Sequence, residues 1–493
     1  MPSPNGPISQ LDSGIPGLNE LLRGGYLQGR MYLVSGGPGT GKTTIGAQYL
    51  ATGLENDETV LFIHGEESAT EIIENASRFG IDISDAEFLD LGPDSDFFAD
   101  NLSFDLVEPG AVEGERYTRA IHDAIKDISP SRIVLDPISQ FRYIEPSEHQ
   151  YRKRLLSFIR FLKERDVTVL ATETTHDPLP PDAEVQSVSD GVIELTRTAD
   201  GQRIEIVKNR GMGQINRDHG VEIRSNGIEV FPRVTPEPND STFDPRPLRS
   251  GVEALDDLLN GGLERGTVTF ISGPPGAGKT TLSAHYLVQA AKNEIPAAIY
   301  LFEERLETFV HRCRSVGLPI DEMRSTGLLS IEVIDPLTLS AEEFAHMVRS
   351  EVESEGAEIV MFDGFGGYTS SIKGQEKGLK RDLHALSRYL VNREVSVLVT
   401  DSIHQITGIS SATSANLSPI SDNIVFLSYV ESHGSLRKVI GVLKKRAGGF
   451  EHSLREFEIT DDGIRIGDPM TDHVGILNGA ARIQDGGGPG GTH

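Results

Sequence analysis

Short runs of apolar residues alternate with longer helical stretches along the whole chain. In the first half, the runs that resemble strands are 31–34, 60–63, 132–135, 167–170 and 191–195. Continuous apolar strands separated by helices are typical of a mostly parallel sheet covered on both faces. No run is long enough to cross a bilayer, so no membrane-spanning helix is expected. The pattern therefore predicts an α/β fold.

The chain repeats itself after about half its length. Residues 14–25 and 251–262 share a Gly-x-x-x-Leu…Gly-Gly pattern, and residues 35–44 and 272–281 share a glycine-rich segment, both at an offset of 237. An internal repeat of this kind indicates two tandem copies of one domain. Later matches drift from that offset, which indicates insertions and deletions between the copies.

Composition suggests where the two copies begin and end. Residues 235–247 are rich in proline and polar residues and have no apolar period, so they predict a linker. The first domain is then 1–234 and the second is 248–484. Residues 485–493 are glycine-rich and predict a disordered tail.

Both copies of the glycine-rich segment fit G-x-x-x-x-G-K-[ST], the pattern of a phosphate-binding P-loop. Each follows an apolar run and precedes a helical stretch, which is the context that the motif requires. Glycines let backbone N–H groups surround a phosphate, and the helix N-terminus adds partial positive charge. The lysine is expected to reach the β- and γ-phosphates of ATP. The predicted nucleotide-binding residues are Gly37, Gly39, Thr40, Gly41, Lys42, Thr43, Thr44, Gly276, Ala277, Gly278, Lys279, Thr280 and Thr281.

A magnesium site is predicted beside each P-loop. Thr43 and Thr280 follow the two lysines and are expected to ligate Mg²⁺. Asp136 and Asp363 each end an apolar strand, as the Walker B carboxylate of such ATPases does. An apolar run ending in Asp is a weak pattern alone, and its place after a P-loop makes it informative.

Two acidic pairs, Glu66-Glu67 and Glu303-Glu304, follow the second strand of each copy at the same offset of 237. A carboxylate beside the γ-phosphate can orient or deprotonate the attacking water or hydroxyl. These four glutamates are therefore the candidate catalytic residues. The alternative is an acidic helix start, which the helix dipole also favours. The repetition at one offset favours catalysis.

The charge balance limits the classes of partner. Asp and Glu number 74 and Lys and Arg 46, for a net charge of −28. Such a chain repels a phosphate backbone at long range, which argues against DNA as its partner. The acidic, lysine-poor composition suits a halophilic cytoplasm, with an ordinary acidic cytosolic protein as the alternative. No basic cluster precedes an apolar stretch at the N-terminus, so a cytoplasmic location is expected.

Together these motifs resemble the KaiC family, the RecA-like ATPases of the cyanobacterial circadian clock and their archaeal relatives. The resemblance covers almost the whole chain and extends to residues 171–174, 188–193 and 420–424. It implies two tandem RecA-like P-loop NTPase domains, each a mostly parallel twisted sheet flanked by helices, with ATPase activity in both. It also implies a homo-oligomer, a hexameric ring closed by head-to-tail interfaces.

The family has a Lys-x-Arg-Gly motif that residues 208–211 and 444–447 match, although Ala447 replaces the glycine. In KaiC-like rings this motif reaches the nucleotide of the neighbouring subunit. The resemblance therefore implies that Lys208, Arg210, Lys444 and Arg446 act in trans. Their charge would offset that of the γ-phosphate, as an arginine finger does. Two exposed basic strands are the alternative.

The second domain of KaiC is also an autokinase and autophosphatase that acts on an adjacent Ser-Thr pair. Ser418 matches the Ser of that pair, but Pro419 stands in place of the Thr, which puts a two-site phosphorylation cycle in doubt. Phosphorylation of Ser418 alone stays open, and so does an unmodified interface loop. The tail lacks helical periodicity, so partner docking on the tail is not expected.

Three functions stay open on the sequence alone. The leading interpretation is a KaiC-like ring ATPase with a regulatory or signalling role, which uses ATP and Mg²⁺ and acts on an unidentified partner protein. A RecA/Rad-type DNA repair ATPase is the first alternative, against which two cores and an acidic chain argue. A non-hydrolysing, nucleotide-dependent assembly scaffold is the second, ranked lower because every expected catalytic position is present.

Overall fold

The structure is a computed structural model, and it describes most of the chain. The described residues are 9–92, 109–140, 142, 148–175, 182–199, 201–212, 217–236, 246–335, 338–366, 376–403, 420–432, 434–471, 473–474 and 482–483. The candidate phosphosite Ser418 and the predicted tail at 485–493 lie outside these residues. The chain divides into two compact units, residues 1–232 and 233–493.

The first unit alternates strands and helices in its first two thirds and ends in strands. Its helices are α1 (Leu18–Leu21), α2 (Lys42–Glu55), α3 (Ala69–Ser77), α4 (Pro109–Ile128), α5 (Glu148–Lys163) and α6 (Ala183–Val188). Its strands are β1 (Gln10–Leu11), β2 (Tyr26–Leu27), β3 (Met31–Gly36), β4 (Val60–His64), β5 (Glu87–Asp90), β6 (Arg132–Asp136), β7 (Thr168–Thr174), β8 (Gly191–Thr198), β9 (Gly201–Asn209), β10 (His219–Arg224) and β11 (Gly227–Phe231). All five apolar runs predicted as strands are strands.

Nine of these strands form one sheet in the order β11-β10-β9-β8-β3-β7-β6-β4-β5. The strands from β8 to β5 in that order run parallel to their neighbours. Strands β9, β10 and β11 continue the sheet as an antiparallel extension. The strand that leads into the P-loop, β3, therefore lies inside the sheet with a neighbour on each side.

Both faces of the central parallel strands of this sheet are buried, which explains the uninterrupted apolar runs. Val34 of β3 belongs to the same buried cluster as Leu50 of α2. Its neighbour Leu33 belongs to a second cluster with Phe158 of α5. Successive side chains of a strand point to opposite faces, so each strand must be apolar at every position to fill both clusters.

The second unit repeats this arrangement. Its helices are α7 (Glu253–Leu258), α8 (Lys279–Lys292), α9 (Leu306–Ser315), α10 (Ile320–Ser325), α11 (Ala341–Ser354) and α12 (Glu376–Asn392). Its strands are β12 (Pro247–Leu248), β13 (Leu263–Glu264), β14 (Val268–Gly273), β15 (Ala297–Leu301), β16 (Leu329–Val333), β17 (Ile359–Asp363), β18 (Ser396–Ser402), β19 (Asn423–Ser432), β20 (Ser435–Lys445), β21 (Arg455–Thr460), β22 (Gly463–Pro469), β23 (His473–Val474) and β24 (Arg482–Ile483).

The second large sheet has the order β16-β15-β17-β18-β14-β19-β20-β21-β22, which is the first order read from β5 to β11 with each strand replaced by its counterpart. The predicted fold, two tandem domains with mostly parallel sheets flanked by helices, is confirmed. The antiparallel extensions are an addition that the apolar pattern did not reveal. Among the helices that the structure describes, none combines the length and apolar composition that crossing a bilayer requires.

The start of the second unit lies slightly before the predicted linker. Arg233 pairs with the buried carboxylate of Glu342 at 3.2 Å. Val234 is buried in the same cluster as Phe344. The two residues are therefore anchored to the second unit by both charge and apolar contact.

Candidate functional site

The segment between β3 and α2 folds as a tight loop whose backbone only glycine adopts readily. Gly39 and Gly41 have φ angles of +71° and +95°, and Gly276 and Gly278 of the second unit have +76° and +110°. Residues with a Cβ avoid this region. A Cβ on Gly41 would also lie 2.7 Å from Cδ1 of Ile228. The loop shape therefore depends on these glycines.

Each loop folds around the ammonium group of its lysine. Lys42 Nζ donates to the carbonyl oxygens of Gly36 and Gly37 at 3.0 and 2.8 Å. Lys279 makes the equivalent bonds to the first two carbonyls of its loop, at 2.9 and 3.1 Å. Burial lowers the pKa of both lysines. Both ammonium groups are thus held inside the loop rather than in solvent.

The remaining predicted loop residues support this shape. Thr40 Oγ1 donates to the carbonyl oxygen of Gly37 at 2.8 Å, which closes the first loop on itself. Ala277 stands at the same place in the second loop and is fully buried. Thr44 is half-buried and Thr281 is buried, each in the first turn of its helix. The two loops therefore share a shape with different internal bonds.

The predicted metal ligands of the first unit are in contact. Thr43 Oγ1 donates to Asp136 Oδ2 at 2.7 Å. Thr172 of β7 donates to the other carboxylate oxygen. Asp136 ends β6, and Thr172 lies on the strand beside it. A hydroxyl and a carboxylate from different elements are thus placed together at the carboxyl end of the sheet.

The second unit builds the same group. Thr280 Oγ1 lies 2.8 and 3.2 Å from the two oxygens of Asp363, and Thr400 Oγ1 donates to the first of them at 2.7 Å. Gly364 N donates to Thr400 in turn, at 2.9 Å. Asp363 is buried, and burial raises its pKa even though both threonines stabilise the charged form. The sequence did not single out Thr172 or Thr400 as site residues; a polar residue inside an otherwise apolar strand beside the P-loop was the available signal.

The two glutamate pairs lie in the bends that follow β4 and β15. Both pairs come before the helix rather than inside its first turn, since Ser68 and Arg305 are the N-caps of α3 and α9. Burial lowers the pKa of the P-loop lysines, and the carboxylates of Asp136 and Asp363 oppose this fall most. The carboxylates of Glu66 and Glu303 oppose it next. The first glutamate of each pair therefore interacts electrostatically with the lysine of its P-loop.

The second glutamates have other contacts. Glu67 accepts a 3.4 Å bond from Asn75, and both groups are exposed. Glu304 forms a 2.7 Å ion pair with Arg312, with side chains 18% and 37% exposed. Burial raises the pKa of Glu304, and the arginine opposes this effect. The two units thus differ at the second glutamate.

The family model described as "ATPase: KaiC" matches residues 11–235 and again residues 248–471. Two matches over most of the chain decide the family.

The chain belongs to the KaiC ATPase family.

Similar proteins include three named circadian clock oscillator protein KaiC. That of Prochlorococcus marinus is 28% identical over 487 residues, which cover 96% of this chain and 95% of the relative. That of Parasynechococcus marenigrum is 27% identical over 96% of this chain and 93% of its own length. That of Synechococcus elongatus is 27% identical over 96% and 92%. The resemblance to KaiC is therefore confirmed, over both halves.

Both sites of this KaiC family member fit a nucleotide with Mg²⁺. The lysine ammonium already bonds two loop oxygens, which phosphate oxygens can replace. The positive-φ glycines immediately precede a 14-residue helix. The first N–H groups of a helix have no partner within it and can bind phosphate. The contacting hydroxyl of Thr43 and carboxylate of Asp136 are the oxygen ligands that Mg²⁺ prefers.

The four predicted trans-acting residues lie level with the amino ends of the parallel strands, whereas each P-loop follows the carboxyl end of its strand. Lys208 pairs with Val192 across β8 and β9, and Gly191 pairs with Tyr32 near the start of β3. The P-loop follows the far end of β3. Arg210 N bonds the carbonyl of Asp190, beyond the start of β8. Lys208 and Arg210 are therefore separated from their own P-loop by the length of the strand.

Within one chain these cations contact the backbone that precedes β8 and β19. Lys208 Nζ donates to the carbonyls of Gln186 and Ser187 at 2.7 and 2.9 Å, and Arg210 donates to Ser187 at 2.8 Å. In the second unit, Lys444 donates to the carbonyl of Ser421. Arg446 pairs with Asp422 at 2.8 Å and is 61% exposed. The arginine heads remain accessible to another molecule.

Proposed function

We propose that the chain binds Mg²⁺-ATP at both P-loops and hydrolyses it. The observation that supports this most directly is the duplicated contact between a P-loop threonine and a strand-end carboxylate, Thr43 with Asp136 and Thr280 with Asp363. Each contact lies next to a buried lysine and a loop of positive-φ glycines. An arrangement of this composition, built twice, serves phosphoryl transfer.

Each group has a defined task in this proposal. Lys42 and Lys279 bind the β- and γ-phosphates, and the hydroxyl and carboxylate pairs hold Mg²⁺. Bound Mg²⁺ would neutralise phosphate charge. Glu66 and Glu303, which act electrostatically on the lysines alongside Asp136 and Asp363, orient the attacking water and accept its proton. Thr172 and Thr400 keep the metal-binding carboxylates in orientation.

The location of the basic motifs supports assembly into a ring. Lys208 and Arg210 cannot reach the P-loop of their own domain, because they lie at the opposite end of the strands from it. In a head-to-tail ring of the KaiC type, this end of the strands would face the nucleotide of the next subunit. The same holds for Lys444 and Arg446. We therefore infer a homo-oligomer, hexameric as in KaiC-like rings, in which these cations act in trans.

A regulatory role and a kinase activity complete the proposal. The relatives are named as circadian clock oscillator proteins, which favours a cytoplasmic signalling ATPase read by a partner protein. Ser418 is the proposed phosphoacceptor, and it stays a prediction from the sequence because it lies outside the described residues. In this transfer the Ser418 oxygen would bond the γ-phosphorus of ATP, ADP would leave as the bond to the β-phosphate oxygen breaks, and the hydroxyl proton would be released.

One experiment separates these functions. The protein is incubated with Mg²⁺-ATP, and phosphate release, native mass and intact mass are measured together. Phosphate release by a hexamer supports the ring ATPase, and an adduct that maps to Ser418 adds the kinase. The variant with both Lys42→Ala and Lys279→Ala is the control and should release no phosphate. Nucleotide-dependent assembly without phosphate release would overturn the ATPase in favour of a scaffold, and a salt-resistant DNA complex would favour a repair ATPase.

A further inference from the structure

The bend that presents the first glutamate of each pair is held by different chemistry in the two units. In the first unit, this bend lies between β4 and α3 and carries Glu66. In the second, it lies between β15 and α9 and carries Glu303. The lysine, threonine and aspartate of the two sites are equivalent. The two units therefore differ in the contacts that hold this bend in place and not in the proposed reacting groups.

In the first unit, the last residue of β4 fixes the bend from the strand side. His64 is 2% exposed, and its Nδ1 lies 2.8 Å from the carbonyl oxygen of Glu67. A carbonyl oxygen only accepts, so Nδ1 carries the proton and donates. From the helix side, Ser68 caps α3, and the Glu71 carboxylate accepts from Ser68 N at 2.9 Å. The bend is thus tied to both the strand and the helix.

The second unit lacks both of these contacts. Leu301 stands where the first unit has His64, and a leucine side chain cannot bond a carbonyl. Arg305 is the N-cap of α9 and makes no side-chain capping bond. The bend there has a contact that the first unit lacks, the 2.7 Å ion pair from Arg312 on α9 to Glu304. Asn75 occupies the equivalent place on α3 and makes only the exposed 3.4 Å contact.

The ion pair can orient the bend because it is partly withdrawn from water. Glu304 is 18% exposed, and it is the residue next to Glu303. A carboxylate held by a guanidinium from two turns along the helix fixes the backbone between them. Exposed pairs of this kind contribute little, whereas partly buried pairs resist screening. Arg312 therefore ties the second bend to its helix, as the Ser68 cap does for the first. On the strand side, Phe302 N donates to the carbonyl of Asp363 at 3.0 Å in place of the His64 contact.

We propose that His64 and Arg312 are positioning residues of the two sites, each fixing the bend that presents the reacting glutamate of its own unit. In this proposal they act on turnover by positioning Glu66 and Glu303. The inference rests on the proposed ATP hydrolysis. It assigns the two halves of the chain separate determinants of rate, which the matching site motifs do not reveal.

The test uses two backgrounds that isolate the sites. Lys279→Ala leaves the first site as the source of turnover, and Lys42→Ala leaves the second. In the first background, His64→Leu introduces the residue that the second unit carries, and His64→Asn keeps an N–H donor close to the position of Nδ1. In the second background, Arg312→Asn introduces the residue of the first unit. Arg314→Asn is the matched control, since Arg314 lies on the same helix and pairs with Asp321 at the surface.

We expect His64→Leu and Arg312→Asn to lower kcat about threefold or more, the scale of coupling between contacting residues, with KM and the Kd of a non-hydrolysable ATP analogue unchanged. His64→Asn should retain most of kcat, and Arg314→Asn should retain all of it. Adding Glu304→Gln to Arg312→Asn should cost nothing further, because both changes break the same ion pair.

The two ways of failing are distinguishable. If neither background releases phosphate although both bind nucleotide, ATP hydrolysis itself is wrong. If both backgrounds release phosphate and neither His64→Leu nor Arg312→Asn changes kcat, the positioning roles are wrong. A loss of analogue binding, or a loss that His64→Asn does not restore, would also overturn them, since it would show a structural effect on the whole site.

Discussion

Thr280 donates a hydrogen bond to Asp363, with its hydroxyl 2.8 and 3.2 Å from the two carboxylate oxygens. Thr280 is the second residue of α8 and Asp363 ends β17, so the contact joins the P-loop helix to the neighbouring part of the sheet. Because the same contact exists between Thr43 and Asp136, both proposed Mg²⁺ sites are assembled by the protein alone. Preorganisation of this kind lowers the cost of binding the ion.

Asp363→Asn should separate stability from activity. Burial raises the pKa of Asp363, so the folded chain binds this proton more tightly than the unfolded chain does. The ionised carboxylate therefore costs stability at neutral pH, and this cost disappears as the pH falls below the ordinary range of an aspartate. The variant should melt higher than the parent at neutral pH without nucleotide, and the difference should vanish in acid. Turnover by the second site should fall about 100-fold or more. A lower melting temperature at neutral pH would contradict the stated cost.

Lys42→Ala and Lys279→Ala should each remove one of two nucleotide sites. Each lysine donates charge-assisted bonds from a buried position, and their loss should weaken binding about 10- to 100-fold at that site alone. Calorimetric titration with a non-hydrolysable ATP analogue would show half the stoichiometry for each single variant. Full binding by the double variant would refute the assignment of both loops.

The two glutamates of each pair should differ in importance. Glu66→Gln and Glu303→Gln remove the carboxylates that act on the P-loop lysines, and turnover should fall about 100-fold or more with binding preserved. Glu67→Gln and Glu304→Gln should cost about tenfold or less, because these side chains contact Asn75 and Arg312 instead. Single-turnover phosphate release is the measurement. Equal losses within a pair would show that both carboxylates take part.

Gly41→Ala should destabilise the first domain by about 1–3 kcal/mol. Its φ of +95° strains any side chain, and the added Cβ would meet Ile228 at 2.7 Å. Gly201→Ala is the control, since its φ is +116° and no atom lies within 4 Å of the added Cβ. That variant isolates backbone strain and should cost about 1 kcal/mol. Urea unfolding followed by circular dichroism measures both. If the two variants lose the same stability, the contact with Ile228 contributes nothing.

Mixing two inactive variants should restore activity if Arg210 acts in trans. Arg210→Ala removes the side chain that a subunit supplies to its neighbour, and Lys42→Ala inactivates the P-loop of the subunit that carries it. Both are made in the Lys279→Ala background so that first sites alone are read. Mixed oligomers contain some boundaries with an intact lysine and an intact arginine, so turnover should exceed that of either parent. No gain after subunit exchange, verified by native mass, would place Arg210 outside the reaction.

Sequence reasoning reached the fold because its determinants are local. Apolar runs such as 31–34 and 132–135 mark strands buried on both faces. Because of the repeat at an offset of 237, the main motifs occur once in each half of the chain. The antiparallel strands β9 to β11 were missed because one face of them carries polar residues, which weakens the apolar pattern. The KaiC resemblance, carried by motifs, held over both halves.

The site was predictable where a motif names its residues, and less so where contacts come from distant strands. The P-loop lysines and strand-end aspartates could be named because their spacing is tied to local structure. Thr172 and Thr400 could not, since their role depends on which strands become neighbours in the sheet. Arg312 was not predicted either, because its pairing with Glu304 requires the angle between a bend and a helix. The roles of the site residues remain predictions that the variants above examine.

The unequal anchoring of the two bends has an evolutionary consequence. A duplicated domain with shared reacting groups would ordinarily run both halves at similar speed, and a change to those groups would be lethal to function in either half. With the positioning roles proposed for His64 and Arg312, the rate of each half would depend on a residue outside its reacting groups. A single substitution at the supporting residue would then slow ATP hydrolysis in one half and leave the rate of the other half unchanged.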